Sequence, residues 1–161
     1  GISRVARELG IRPPSLYNHV DKGDAMAWLV VIEGNRQLLG ALKQAVRGVS
    51  DARHQLAALA LTTRDWAQAH PHLYTLMSRV PPDNEDPDFE PLLMDMMDLF
   101  GQPLARLGLD EQQQLHAIRG LRAAIQGFLL LENSGQFALE TDSETSFRWM
   151  VGTLLGGMAP Q

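Results

Sequence analysis

The side chains best placed to do chemistry together stand near the start of the chain. Arg12, Ser15, Tyr17, Asn18 and His19 are interleaved with Pro13, Pro14 and Leu16, and Ser3, Arg4 and Lys22 flank them. Arginine and lysine neutralise phosphates, and a tyrosine hydroxyl can donate to one. Serine, asparagine and histidine can hydrogen-bond base edges, and a proline ring can touch a thymine methyl. The chemistry on offer is non-covalent recognition of a nucleic acid duplex.

One scaffold for such recognition is two short helices crossing steeply, with the second presented outward. Ser3 to Leu9 reads as the first, capped by Ser3 and ended by Gly10, and Arg12 to Val20 as the second. Pro13 and Pro14 are tolerable there because the first turn of a helix has no use for their missing N–H groups. Ala6 is small enough for close crossing, Gly10 can take positive φ, and Val5, Leu9, Ile11 and Leu16 supply the apolar anchors. The net charge of −5 is unevenly spread: residues 1–22 carry four bases and two acids, and the remainder ten bases and seventeen acids. A basic head on an acidic body suits a DNA reader, since only the head must approach phosphates. On spacing and charge alone, two packed surface helices without DNA fit as well.

The run SRVARELGIRPPSLYNHV carries more than spacing. Its Ala6, Glu8-Leu9-Gly10, Ile11, Ser15-Leu16-Tyr17 and His19-Val20 resemble the helix-turn-helix of the TetR family of bacterial regulators. The resemblance implies DNA contacts from Ser3, Arg4, Arg12, Pro13, Pro14, Ser15, Tyr17, Asn18, His19 and Lys22. It departs from the family in two ways. The family's usual preceding helix would lie before Gly1, so the head is expected to be truncated, and the base at the start of the next helix is Lys22 where the family has it at the position of Gly23. Further on, Leu131-Glu132, Gly135-Gln136-Phe137 and Ser146-Phe147 resemble a C-terminal subclass known for a Trp-His-Gly signature, of which only Gly127 survives here in Ile125-Gln126-Gly127.

The rest of the chain reads as helix throughout, giving an all-α fold; with the resemblance this implies a helix-turn-helix over residues 1–23, its first helix missing, and a helical ligand-binding and dimerisation domain over 24–161. Long helices are expected at Asp24–Val49 and Asp110–Ser134, with others from Asp51 to His70, Pro71 to Arg79, Phe89 to Leu107 and a final one that Ser143 caps. The first should bury Met26, Leu29, Val30, Leu38, Leu42 and Val46. Pro81–Pro87 is the clearest internal break, and Gly101 with Pro103 should bend the Phe89–Leu107 helix. The final helix is apolar on more than one side, which together with the resemblance implies a homodimer face at Phe128, Phe147, Met150, Val151, Leu154 and Leu155. The resemblance also implies an effector pocket in the body, for which Trp66, His70, Tyr74, Met77, Met94, Met97, Phe100 and Gln126 are candidate lining residues, methionine being adaptable to varied apolar ligands, although each also fits ordinary core.

Other chemistries find little support. Cysteine is absent, so thiolate metal sites and disulfides are excluded. His70-Pro71-His72 lacks a third ligand nearby. Seven acids between Asp83 and Asp98 do not follow calcium-loop spacing, and Pro87 and Pro91 interrupt them. No phosphate-cradling glycine loop or nucleophile elbow is present, no cofactor is expected, and no apolar run is long enough to span a membrane. What the resemblance to the TetR family implies is a bacterial cytoplasmic, ligand-responsive repressor that binds a palindromic double-stranded DNA operator as a homodimer and is released by a small-molecule effector. The rival is a helical small-molecule-binding or enzyme domain without DNA binding.

Overall fold

The computed structural model describes residues 23–139 and 141–158, with side chains from Met26 onward. Among them are six helices and no strand: α1 (Gly23–Ala45), α2 (Ala52–Ala69), α3 (Pro71–Arg79), α4 (Glu90–Arg106), α5 (Glu111–Asn133) and α6 (Ser143–Gly157). The ends follow local chemistry. Asp51 caps α2 by accepting from the His54 amide, and Asp110 with Gln113 forms a reciprocal capping box on α5. At the other end of α5, Gln136 N–H reaches Leu131 O and Gly135 N–H reaches Glu132 O. That closure needs a left-handed residue, and Gly135 supplies it at φ 69°. Two expected ends move. α1 stops at Ala45 rather than Val49, because the chain turns through Gly48 at φ 75°. The cap of α6 is Asp142, which accepts from the Glu144 and Thr145 amides, while Ser143 is already helical.

α2 is the central element and touches each of the other five described helices. Its stripe Leu56, Leu59, Ala60, Thr63 and Trp66 is buried, as the spacing predicts. One apolar cluster joins it to α4, α5 and α6 through Leu104, Leu121, Ile125, Leu129, Phe147, Val151 and Leu155. A second, around Leu38, Leu42, Leu59 and Trp66, joins α2 to α1, α3 and α4. Tyr74 and Phe100 pack against both, so the two clusters are continuous. In α1 the inward face is Val31, Ile32, Leu38, Leu39 and Leu42, whereas the expected Met26, Leu29, Val30 and Val46 are half-buried. An apolar run such as Leu29–Ile32 leaves the helix free to rotate, and its neighbours choose the face.

α1 leads from residues 1–22 into the body, and three contacts pin it there. Gly34 lies against α3, with Met77 Sδ only 2.6 Å and Leu73 Cδ1 3.0 Å from where a Cβ would be. Lys43 Nζ pairs with Asp95 on α4 at 2.6 Å. Trp28 Nε1 donates to Asp86 Oδ2 at 2.8 Å, and its ring lies 4.9 Å from that of Phe89. Asp86 also accepts from the Asp88 and Phe89 amides through its other oxygen. The Trp28 hydrogen bond and then those amides hold the Asp86 carboxyl below its usual range, against burial. The break between α3 and α4 is thus a strap folded over the start of α1.

Candidate effector region and dimer face

The eight pocket candidates do not converge. Trp66, Tyr74, Met77 and Phe100 share the second cluster, where Met96 and Leu99 join them. His70 is exposed but stacks on Trp66 at 4.5 Å, its Nδ1 2.9 Å from Trp66 O. Burial raises the Tyr74 phenol above its ordinary pKa, with the Arg122 charge opposing. Met94 is 55% exposed and turned away from this cluster. Gln126 is half-buried on α5. Met97 lines a different space, an open cleft of about 290 Å3 between α4 and α5, with Asp98, Gly101, Gln102, Ala105, Glu111, Gln114, Leu115 and Ile118. Met94 and Met97, three residues apart, share one side of α4, and that side faces away from the second cluster, to which the helix turns Met96 instead. The three-and-four spacing of Met96, Leu99, Phe100 and Pro103 is the signal that identifies the inward face.

One polar network lies between the clusters and the end of α5. Arg64 and Glu132 pair at 2.6 Å with side chains 6% and 12% exposed. Arg64 also donates to Ser143 Oγ at 3.2 Å, Gln68 donates to Glu132 at 3.0 Å, and the guanidinium lies 5.5 Å from the centre of the Phe147 ring. Burial pushes the Glu132 carboxyl up, but the Arg64 hydrogen bond and charge, with Ser143 and Gln68, outweigh it and hold it below its usual range. The network ties α2, α5 and the first residue of α6 together.

Three of the six expected dimer-face residues need correction, while Phe128, Met150 and Leu154 keep part of their surface exposed. Phe147, Val151 and Leu155 are 0%, 2% and 4% exposed within one chain and form its own core. Met150 and Leu154 pack against that core, and Phe128 sits between the rings of Phe147 and Phe137 at 5.1 and 4.8 Å. A residue already sealed against its own helices has no surface to offer a second copy. The outward side of α6 carries Trp149, Gly152, Thr153 and Gly156, and that of α5 carries Gly120, Ala123, Gly127 and Leu130. Trp149 is 73% and Leu130 68% exposed, and space is open around all four of these glycines. The spacing of Trp149, Gly152, Thr153 and Gly156 is visible in the sequence as a second helical stripe.

The DNA-contact candidates Ser3, Arg4, Arg12, Pro13, Pro14, Ser15, Tyr17, Asn18, His19 and Lys22 lie outside the described residues. No helix among the described residues is long and apolar enough to cross a membrane, and no group of three or more His, Asp or Glu side chains there could hold a metal ion.

Comparison with known proteins places this architecture. A family model described as "Tetracyclin repressor-like, C-terminal domain" matches residues 56–154. The uncharacterized HTH-type transcriptional regulator Rv0681 of Mycobacterium tuberculosis is 30% identical over 98% of this chain and 71% of its own length. The uncharacterized HTH-type regulator YobS of Bacillus subtilis is 27% identical, over 98% and 81%. Among solved structures, a protein of unknown function from Rhodococcus sp. RHA1 superposes with a TM-score of 0.75 at 22% identity, covering 99% of this chain and 85% of that one. A TetR variant from Acinetobacter baumannii, solved in complex with minocycline, gives 0.67 at 18% identity, over 98% and 83%.

Proposed function

Because the chain belongs to the TetR family of helix-turn-helix transcriptional regulators, we propose that it acts as a homodimeric, ligand-responsive repressor of a palindromic operator. The family is one of regulators and not of enzymes. The observation that carries the reading is the placement of α1. It follows directly on the sequence motif at residues 3–20 and is held to the body by Trp28, Gly34 and Lys43. A rearrangement of α3, α4 or the strap would move α1, and with it the head. A ligand that favours one arrangement shifts the population of DNA-competent dimers only as far as its affinities for the two arrangements differ.

Two heads must stand roughly 34–36 Å apart to enter successive major grooves, so dimerisation sets operator spacing. The outward stripes of α5 and α6 are the surface we assign to it. Small residues allow helices of two copies close approach, and Trp149 and Leu130 offer apolar area that water otherwise covers.

A gel-shift titration on DNA flanking the gene, run across salt concentrations, tests the reading. Specific binding whose affinity falls steeply with salt is expected, together with its loss in Tyr17→Ala/His19→Ala protein that still sediments as a dimer. Absence of specific binding by the full-length dimer would refute the repressor. Undiminished binding by the double variant would refute the placement of the reading head.

A further inference from the structure

We infer that the cleft between α4 and α5 binds a small organic cation with an apolar body. Its floor is Met97, Leu115 and Ile118, and its volume of about 290 Å3 lies at the small end of ligand pockets. Asp98 and Glu111 line it, and among the described residues neither has a cation within salt-bridge distance or a hydrogen-bond partner for its carboxylate. Arg106, the base at the end of α4, is turned to Gln55.

The cleft also holds an oriented acceptor. Gln114 spends its amide N–H on Leu109 O at 2.8 Å, which aims Oε1 toward α4. There Gly101 leaves it room: a Cβ at 101 would stand 3.3 Å from that oxygen. Glycine at 101 thus lets the Gln114 oxygen lie close against α4 at the edge of the cleft. Two carboxylates and one amide oxygen over an apolar floor are complementary to an amidinium, guanidinium or primary ammonium on an aromatic or aliphatic body. The excess of acids over bases beyond residue 22 draws such a cation in. Binding stands independently of the repressor reading, and only its consequence for DNA rests on that reading.

The test uses an isosteric pair of probes on the full-length dimer, benzamidine (charged) and benzamide (neutral), with the methyl NMR signals of Met97 and Ile118 as reporters. Saturable shifts with benzamidine, at least tenfold weaker ones with benzamide, and weakening of the benzamidine shifts by added salt are expected. Asp98→Asn/Glu111→Gln should lose about tenfold in affinity, and Gly101→Leu should abolish binding by filling the cleft, both with unchanged helical circular dichroism. Equal affinity for the two probes, no saturable shift with benzamidine, or full affinity in the carboxamide variant would overturn the inference. The probe comparison on unaltered protein decides even if a variant misfolds. Failure of the protein to bind any operator DNA would remove the repressor reading while leaving the cleft result standing.

Discussion

At the scale of single residues, the Arg64–Glu132 pair carries the largest electrostatic stake. Two charges this far from water are tolerated because each is hydrogen-bonded on more than one side. Glu132→Gln leaves the buried guanidinium without a counter-charge, and a loss of roughly 3 kcal/mol in urea unfolding at pH 7 is expected. Because the folded carboxyl titrates below its unfolded value, its contribution is complete above about pH 4.3, the ordinary glutamate pKa. It is lost as pH falls through the lower folded value. The gap between the parent protein and Glu132→Gln should therefore narrow when the same melts are repeated near pH 3. A gap that stays constant would mean that Glu132 acts through shape alone. The Leu131-Glu132 element was visible in the sequence as part of a family resemblance. Its partner Arg64 was not, because 68 residues separate them and only the packing of α2 on α5 brings them together.

At the scale of elements, the crossing of α1 and α3 depends on one missing side chain. Gly34 is buried where Met77 and Leu73 leave no space, whereas Gly40, six residues on and on another side of the same helix, faces open solvent. Opposite signs follow. Gly34→Leu should destabilise by about 1–3 kcal/mol through overpacking. Gly40→Ala should stabilise by about 0.5–1 kcal/mol through helix propensity and a less flexible unfolded chain. Thermal melts of the two variants check the pair. If Gly34→Leu melts with the parent, the α1–α3 contact is looser than its geometry. Helix existence and most ends were readable because caps and turns are local: Asp51, Asp110 and Gly135 each act within a few residues. The face α1 presents was not, since apolar residues at 29–32 surround the helix there.

At the scale of the whole molecule, the two sides of α6 divide the work. Phe147 closes the monomer core and Trp149 stands in solvent. Phe147→Ala should cost about 3–5 kcal/mol of monomer stability. Trp149→Ala should leave the fold intact and shift sedimentation toward monomer at low micromolar concentration, with a melting temperature no longer dependent on concentration. A dimer unaffected by Trp149→Ala would place the interface elsewhere. The strap from Val80 to Phe89 also belongs to this scale, because it links the break between α3 and α4 to the start of α1 across 58 residues of sequence through Trp28 and Asp86.

What the sequence determined by itself is local or chemical: the helical class, the Asp51 cap and central stripe of α2, the absence of thiol chemistry, and a head motif whose residue types suit DNA. Tertiary structure decided which of several apolar faces turns inward. It sent Phe147, Val151 and Leu155 to the core and Trp149 outward, split the methionines of α4 between a packed cluster and an open cleft, and paired Arg64 with Glu132. The physical reason is common to all four. Helical periodicity states how residues are spaced around an axis, but the rotation of that axis is set only when neighbouring helices compete to bury the most apolar surface without stranding a charge.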